Sequence, residues 1–230
     1  MKSICAAALL GLAGVASAGI PSSNIVITEI WAGGLPGAEA TSDWFEITNF
    51  GDTPFSLANV FVDDDSADPT TNTPIANISF VAPGESVIVL TAWEDFDTPA
   101  NAASVFQSVW GASNLTGVQI GWVDDDFGGP GLGGGGDAVF LFDGNTEDAN
   151  LITAQVYTTD TQPESFIYNP NTGLFGEYAQ VGVFGAFEST VNASGGVDVP
   201  AVGSPGLVPT PGAIAVLGLA GIGASRRRRR

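Results

Sequence analysis

The sequence predicts an all-β domain, a sandwich or barrel, with one inserted helix. Three observations carry that expectation. Gly is abundant, at 31 of 230 residues. The apolar residues come in short runs rich in Val, Ile and Phe, which suit a pleated surface better than a helix. Clusters of Gly, Pro, Asn and Asp separate those runs at the intervals expected of turns. The length suits one globular domain with a real core once the ends are set aside.

Taken in order, residues 1–18 carry the marks of a secretory signal. Lys2 supplies a positive start, 4–15 form an apolar stretch, and Ala16-Ser17-Ala18 is a small-x-small cleavage site, so the mature chain is expected to begin at Gly19. An uncleaved anchor is the alternative, disfavoured by Pro21 and the polar residues that follow at once. The one cysteine, Cys5, falls inside the signal, which leaves the mature chain without disulfide, thiol nucleophile or cysteine metal ligand.

Strands are expected over 25–31, 44–49, 60–63, 78–81, 86–91, 118–122, 138–142 and 152–157. In Trp44-Phe45-Glu46-Ile47-Thr48 the alternation puts Phe45 and Ile47 on one face and Glu46 and Thr48 on the other. The helix is signalled by Thr98 as a cap, Pro99 at the first position, Ala102, Val105, Phe106 and Val109 at helical spacing over 100–110, and Gly111 as the stop. That stripe is expected to pack on a sheet.

The strands also carry a family resemblance. Ile25-Val26-Ile27-Thr28-Glu29-Ile30 looks like the opening strand of lamin-tail domains, and Asp43-Trp44-Phe45-Glu46-Ile47-Thr48-Asn49 resembles their D-W-[VIF]-E-[LI]-x-N strand. Residues 53–60 fit the next hairpin, and Ala82-Pro83-Gly84-Glu85 fits the turn before the strand at 87–90. Residues 136–143 match a later strand, and Gly203-Ser204-Pro205-Gly206 looks like the closing segment. The resemblance covers most of 19–207, with the helix and a Gly-rich stretch as insertions. It implies an immunoglobulin-like β-sandwich, a fold used mainly for binding and scaffolding and rarely as the catalytic part of an exported protein.

At the other end, Val208-Pro209-Thr210-Pro211-Gly212 leads into an apolar run over 213–224, then Ser225 and Arg226, Arg227, Arg228, Arg229 and Arg230. A short hydrophobic C-terminal helix over that run would rise only about 20 Å against a hydrocarbon core of about 30 Å, marginal as a permanent anchor and adequate as a transient one. The arginines would hold the terminus on the cytoplasmic side. The order over 208–230 of Pro209-x-Pro211, Gly212, apolar helix and Arg cluster resembles the PEP-CTERM sorting signal, with Thr210 where the eponymous motif has Glu. That resemblance implies export machinery and an exosortase-like sorting enzyme as partners, with transient membrane contact and a final place at the cell surface or in the extracellular matrix. A plain tail anchor is the alternative.

The charge pattern excludes whole function classes. The formal net charge is -19, yet all six basic residues lie at the ends, Lys2 and Arg226 to Arg230, and there is no histidine. All 25 acidic residues lie between them, so no internal salt bridge is possible. Every buried carboxylate there must find backbone or hydroxyl donors, a metal, or a proton. For a processed form lacking both ends, nucleic acid is excluded as a partner, since no side-chain cation would remain to neutralise phosphate. Nucleophilic triads and histidine zinc sites are excluded for want of their residues. The acidity reads either as adaptation to salty surroundings or as metal binding.

Asp63, Asp64, Asp65 and Asp68 follow one strand and Asp124, Asp125 and Asp126 another, while Glu94, Asp95 and Asp97 precede the helix. Calcium prefers six to eight hard oxygens, so the two strand-end clusters are candidate calcium ligands. The alternative is turn aspartates capping strands in water. The Gly-rich stretch 128–136 lacks the Lys-Ser/Thr ending of a phosphate loop and reads as a flexible loop. Three functional readings remain. The first is a non-enzymatic surface or matrix module that binds extracellular polysaccharide or matrix proteins. The second is a carboxylate-only, glycosidase-like hydrolase, with Trp31, Trp44, Trp93, Trp110 and Trp122 available to stack on sugar. The third is a purely structural matrix component.

Overall fold

A computed structural model of the chain describes residues 24–32, 41–93, 96–124, 129–158, 163–190 and 200–209. In chain order the strands are β1 (Ile25–Trp31), β2 (Asp43–Asn49), β3 (Phe55–Ser56), β4 (Phe61–Asp63), β5 (Thr73–Ala76), β6 (Phe80–Val81) and β7 (Ser86–Thr91). The helix α1 (Pro99–Trp110) follows, then β8 (Ile120–Val123), β9 (Asp137–Phe142), β10 (Leu151–Tyr157), β11 (Phe166–Asn169), β12 (Leu174–Tyr178), β13 (Phe187–Glu188) and β14 (Val202–Gly203). All eight expected strands form, with ends shifted by one to two residues. The other six are additional to the expectation. β5 contains Pro74 and β12 contains Gly176 at φ 106°, residues that make a strand read as a turn.

Ten strands share one sheet in the order β10-β9-β4-β5-β8-β7-β2-β1-β11-β12, and β3–β6 and β13–β14 form two short pairs. Every pairing is antiparallel except β7–β8. A parallel pair cannot be joined by a hairpin and needs a crossover of a dozen or more residues, usually helical. The inserted helix α1 is that crossover.

The long sheet folds over on itself as an immunoglobulin-like sandwich, which brings β10 and β12, at opposite ends of the order, against each other. Tyr157, Phe166 and Tyr178 close that meeting, with ring centroids 5.0 and 4.9 Å apart. Between the layers lies the main core, where Ile27, Ile30, Phe45, Ile47 and Val89 face Val62, Val139 and Leu141. The opposite face of β1, β2 and β7 is covered as well. There α1 lays Ala102, Phe106, Val109 and Trp110 on Trp31, Trp44, Ile88 and Leu90. Val105 packs at the margin of this cluster, and Trp110 joins the expected stripe as its largest member.

The helix begins as expected. Thr98 is extended at φ −148°, and its hydroxyl oxygen accepts from the Asn101 amide at 3.2 Å. Thr98→Ala is therefore expected to cost about 1 kcal/mol. A thermal melt reads that as a drop of about 2–4 °C for a domain of this size, and an unchanged midpoint would show that the cap contributes nothing.

Among the described residues no helix is long and apolar enough to cross a membrane. The expected C-terminal helix over 213–224, the arginines and the signal over 1–18 lie outside the described residues.

Candidate functional site

The strands buried on both faces carry polar residues on one of them. Ile25, Ile27 and Ile30 of β1 all enter the core between the layers, a spacing that strict alternation forbids. The register shows how. Ile27 pairs with Ile47 and Glu29 with Glu46, so Thr28 is the extra residue of a β-bulge. The bulge reverses the parity of β1 and puts Thr28 and Glu29 together on the helix-side face. Trp31 then pairs with Trp44 and Glu29 with Glu46, two aromatics followed by two carboxylates on adjacent strands. Glu29 and Glu46 are each 0% exposed.

The cover over this polar half of the face is the closing segment 200–207. The Glu29 Oε1 accepts from the Ser204 amide at 2.8 Å and from the Ser165 hydroxyl, and Oε2 accepts from the Ser204 hydroxyl at 2.9 Å. The Glu46 Oε2 accepts from the Gly206 amide at 2.7 Å, and Oε1 from the Thr28 hydroxyl at 2.5 Å. With the Thr28 proton donated to the Glu46 Oε1, the 2.7 Å contact from Thr48 to Thr28 is donated by Thr48, and the 2.6 Å contact behind it by Ser86. A file of hydroxyls from β7 to β1 thus ends on the carboxylate.

The closing sequence Gly203-Ser204-Pro205-Gly206 follows from this seat. A Cβ at residue 203 would lie 2.5 Å from Glu29 Oε1 and 3.0 Å from the Trp110 ring. Ser204 gives Glu29 two donors. Pro205 is buried between two donating amides and has no N–H of its own to satisfy. Gly206 has φ +78°, and a Cβ there would lie 2.4 Å from Val118.

Burial raises the Glu29 carboxyl from 4.5 to about 7 against the opposing pull of its Ser165 and Ser204 hydrogen bonds. Burial also raises the Glu46 carboxyl, with the charge of Glu29 adding to it, to about 8. With no cation on the neighbouring strands, the proton is what reconciles two carboxyls with one dry site. They titrate as a pair.

The residues expected to hold calcium fall elsewhere. Asp63, at the end of β4, is buried and accepts from the Ser66 hydroxyl at 2.7 Å and the Asp68 amide at 2.6 Å. Asp64 accepts from the Ser66 amide, and Asp68 from the amide and hydroxyl of Thr70, which hold its carboxyl below the usual range. These are the bonds of a turn. Asp65 is exposed and lines an open groove of about 530 Å³ with Gly136, Asp137, Phe140, Val156 and Tyr157. Asp124 is exposed at the end of β8, whereas Asp125 and Asp126 lie outside the described residues. Among the described residues no group of three or more Asp, Glu, His or Cys is arranged to hold a metal ion.

The Gly-rich stretch corrects the expectation of a flexible loop. The Leu132 side chain enters the core, its amide donates to Asp43 at 2.8 Å, the Thr91 hydroxyl donates to the Pro130 carbonyl, and the Tyr157 hydroxyl donates to the Gly133 carbonyl at 3.1 Å. The tryptophans pack rather than line a cleft. Trp31, Trp44 and Trp110 are buried, and half-buried Trp93 donates to the Val123 carbonyl at 2.9 Å. Of the sorting residues, Pro209 is described and buried, while Pro211, Gly212 and Arg226 to Arg230 lie outside the described residues.

The Glu29–Glu46 pair was not singled out from the sequence. Its signal was present all the same, as glutamates inside Ile-Thr-Glu-Ile and Phe-Glu-Ile in a region, 19–207, with no cation to neutralise them. The family model described as Lamin Tail Domain matches residues 19–159, from before β1 to the end of β10. No curated protein matches the chain.

Proposed function

The chain belongs to the lamin tail domain family, and from that premise we propose that it is an exported, non-enzymatic surface or matrix protein, a binding and scaffolding module for extracellular polysaccharide. Domains of this family are immunoglobulin-like binding and structural units rather than enzymes. One observation carries the non-catalytic reading. The two carboxylates that strand pairing sets side by side do not flank a cleft as those of a carboxylate-only hydrolase must; they are sealed in the sheet and spend their lone pairs on the chain's own Thr28, Ser165, Ser204 and Gly206. A glycosidase pair must flank a sugar and exchange protons with it, and this pair meets only protein.

The export reading is supported by the segregation of charge. Positive side chains occur only beside the two apolar end segments, and the domain between them is purely anionic. It is also supported by where the fold stops. The closing segment is seated through Gly206, and the Val208-Pro209-Thr210-Pro211-Gly212 motif begins two residues later, so removal of the tail would leave the seat intact. Sorting by an exosortase-like enzyme then requires only that residues past Leu207 be reachable.

Fractionation of the native host with mass spectrometry of both termini tests this. A first residue at Gly19, loss of the arginine block and recovery outside the cytoplasm are expected. An intact arginine terminus on a protein dissolved in the cytosol would overturn it. A sedimentation assay with acidic and neutral polysaccharides, with and without calcium, tests the ligand. Retention only with calcium would place Asp65 and its neighbours as cation bridges. No retention under any condition would leave the purely structural role.

A further inference from the structure

We propose that residues 200–207 form a pH-gated strap, closed over Glu29 and Glu46 while the pair keeps a proton and lifted from the sheet when both carboxylates ionise. Besides the two-residue pairing of β14 with β13 and the bridge from Val202 to Glu164, the strap is fastened at few points. Ser204 and Gly206 bond the two carboxylates, the Val202 carbonyl accepts from Ser165 at 2.9 Å, the Val202 amide donates to Pro163 at 3.0 Å, and Ala201 exchanges bonds with Ser189 at 2.8 and 2.9 Å. Beneath it lie two carboxyls on directly paired positions of adjacent strands.

Among the described residues no group around the pair can offset a second negative charge. On β1 and β2 the other titratable groups are Asp43, which is bonded to the Leu132 amide, and none besides. Before β7, Glu85 is turned to the Ala82 amide at 2.6 Å and the Gln119 amide group at 2.8 Å. α1 carries no titratable residue. Around β11 stand Glu164 and Tyr168, on β12 Glu177 and Tyr178, on β13 Glu188, and on β14 none. Every one of these is an acid. Two buried like charges at contact are strongly unfavourable, and the way to solvate them with least loss of packing is to lift a short segment whose apolar side chains are Pro200, Ala201, Val202, Pro205 and the partly exposed Leu207. The central strands and their helix layer stay in place. The strap runs directly into Val208 and the buried Pro209, so its lifting would pull on both.

Residue-resolved hydrogen exchange of the full chain tests this. Opening releases at least one proton from the pair, so the opening equilibrium rises at least about tenfold per pH unit. Between pH 5.5 and 7.5 the protection factors of the Ser204 and Gly206 amides, already corrected for intrinsic exchange, are expected to fall at least about 100-fold. Those of Val87 and Val89 in β7 are expected to fall less. The double variant Glu29→Gln with Glu46→Gln is expected to abolish the slope at the strap. Level protection at Ser204 and Gly206 in the native chain would overturn the proposal, as would a parallel fall at β7 or a slope that survives in the double variant. The native profile decides alone if the double variant does not fold.

Discussion

Raising the pH from 5 to 9 is expected to lower the thermal midpoint of this protein, with the fall spread over pH 5 to 8, steepest below about 7 and ending near 8. In most proteins histidines titrate there and obscure any other group. This chain has no histidine, and between residues 19 and 207 it has no lysine, arginine or cysteine. The window is left to Glu29 and Glu46. Unfolded, both carboxyls ionise near 4.5; folded, burial holds them protonated to about 7 and about 8. Between those limits the folded state binds more protons than the unfolded one, so each step up in pH favours unfolding. The advantage is complete below 4.5, is lost as the pH passes through 7 and 8, and is absent above. Asp68 and Asp143 act with the opposite sign, because hydrogen bonds from Thr70 and Asn150 depress their carboxyls. Their contribution is present above the ordinary aspartate range and lost in stronger acid. Stability should therefore peak in weak acid, and Glu46→Gln should flatten the alkaline side of the profile. A midpoint level from pH 6 to 8 would show that the pair is not dry. The strap limits the size of the fall, since once lifting it costs less than burying two charges, stability stops declining.

The strand ladder was legible because its signals are local. Short β-branched runs between turn residues located eight strands within two residues, and Thr98-Pro99 with Gly111 bounded the helix. Segments that are strands only by virtue of their neighbours were not legible. Thr73-Pro74-Ile75-Ala76 forms β5 because β4 and β8 lie on either side of it, and Leu174-Phe175-Gly176-Glu177-Tyr178 forms β12 through its pairing with β11. The Gly-rich stretch misled for the same reason. Its composition is that of a linker, and what holds it is the Asp43 carboxylate and the Thr91 hydroxyl, distant in sequence.

The site shows where alternation stops informing. Phe45 and Ile47 face the core and Glu46 and Thr48 face away, as the period of two requires. Facing away from the core is not facing water here, because the strap covers that face. Nothing in Glu46 and its neighbours indicates that Gly206, 160 residues later, will donate to it. What the sequence did contain was the rule that a buried carboxylate in this chain must use backbone donors, hydroxyls or a proton. The Glu29–Glu46 pair uses all three.

Trp44→Ala is expected to be the most damaging single truncation. Trp44 is 0% exposed and sits where β2 meets α1, edge-on to Phe106 at 5.4 Å and to Trp110 at 5.7 Å. Removing it opens a cavity between the sheet and the crossover helix, and the neighbours that would have to collapse into it are themselves rings locked by further edge contacts with Trp31 and Phe187. Buried Trp-to-Ala changes cost about 3–5 kcal/mol, on the order of 10 °C in midpoint for a domain of this size. The indole N–H of Trp44, like those of Trp31 and Trp110, has no hydrogen-bond partner among the described residues. Packing therefore supplies nearly all that Trp44 contributes, and Trp44→Phe should lose less than half of what Trp44→Ala loses, because it leaves no acceptor stranded. Equal losses in the two variants, measured by chemical denaturation, would mean that the N–H is satisfied by a specific acceptor, and that the helix layer is held by that bond rather than by the interlocked rings.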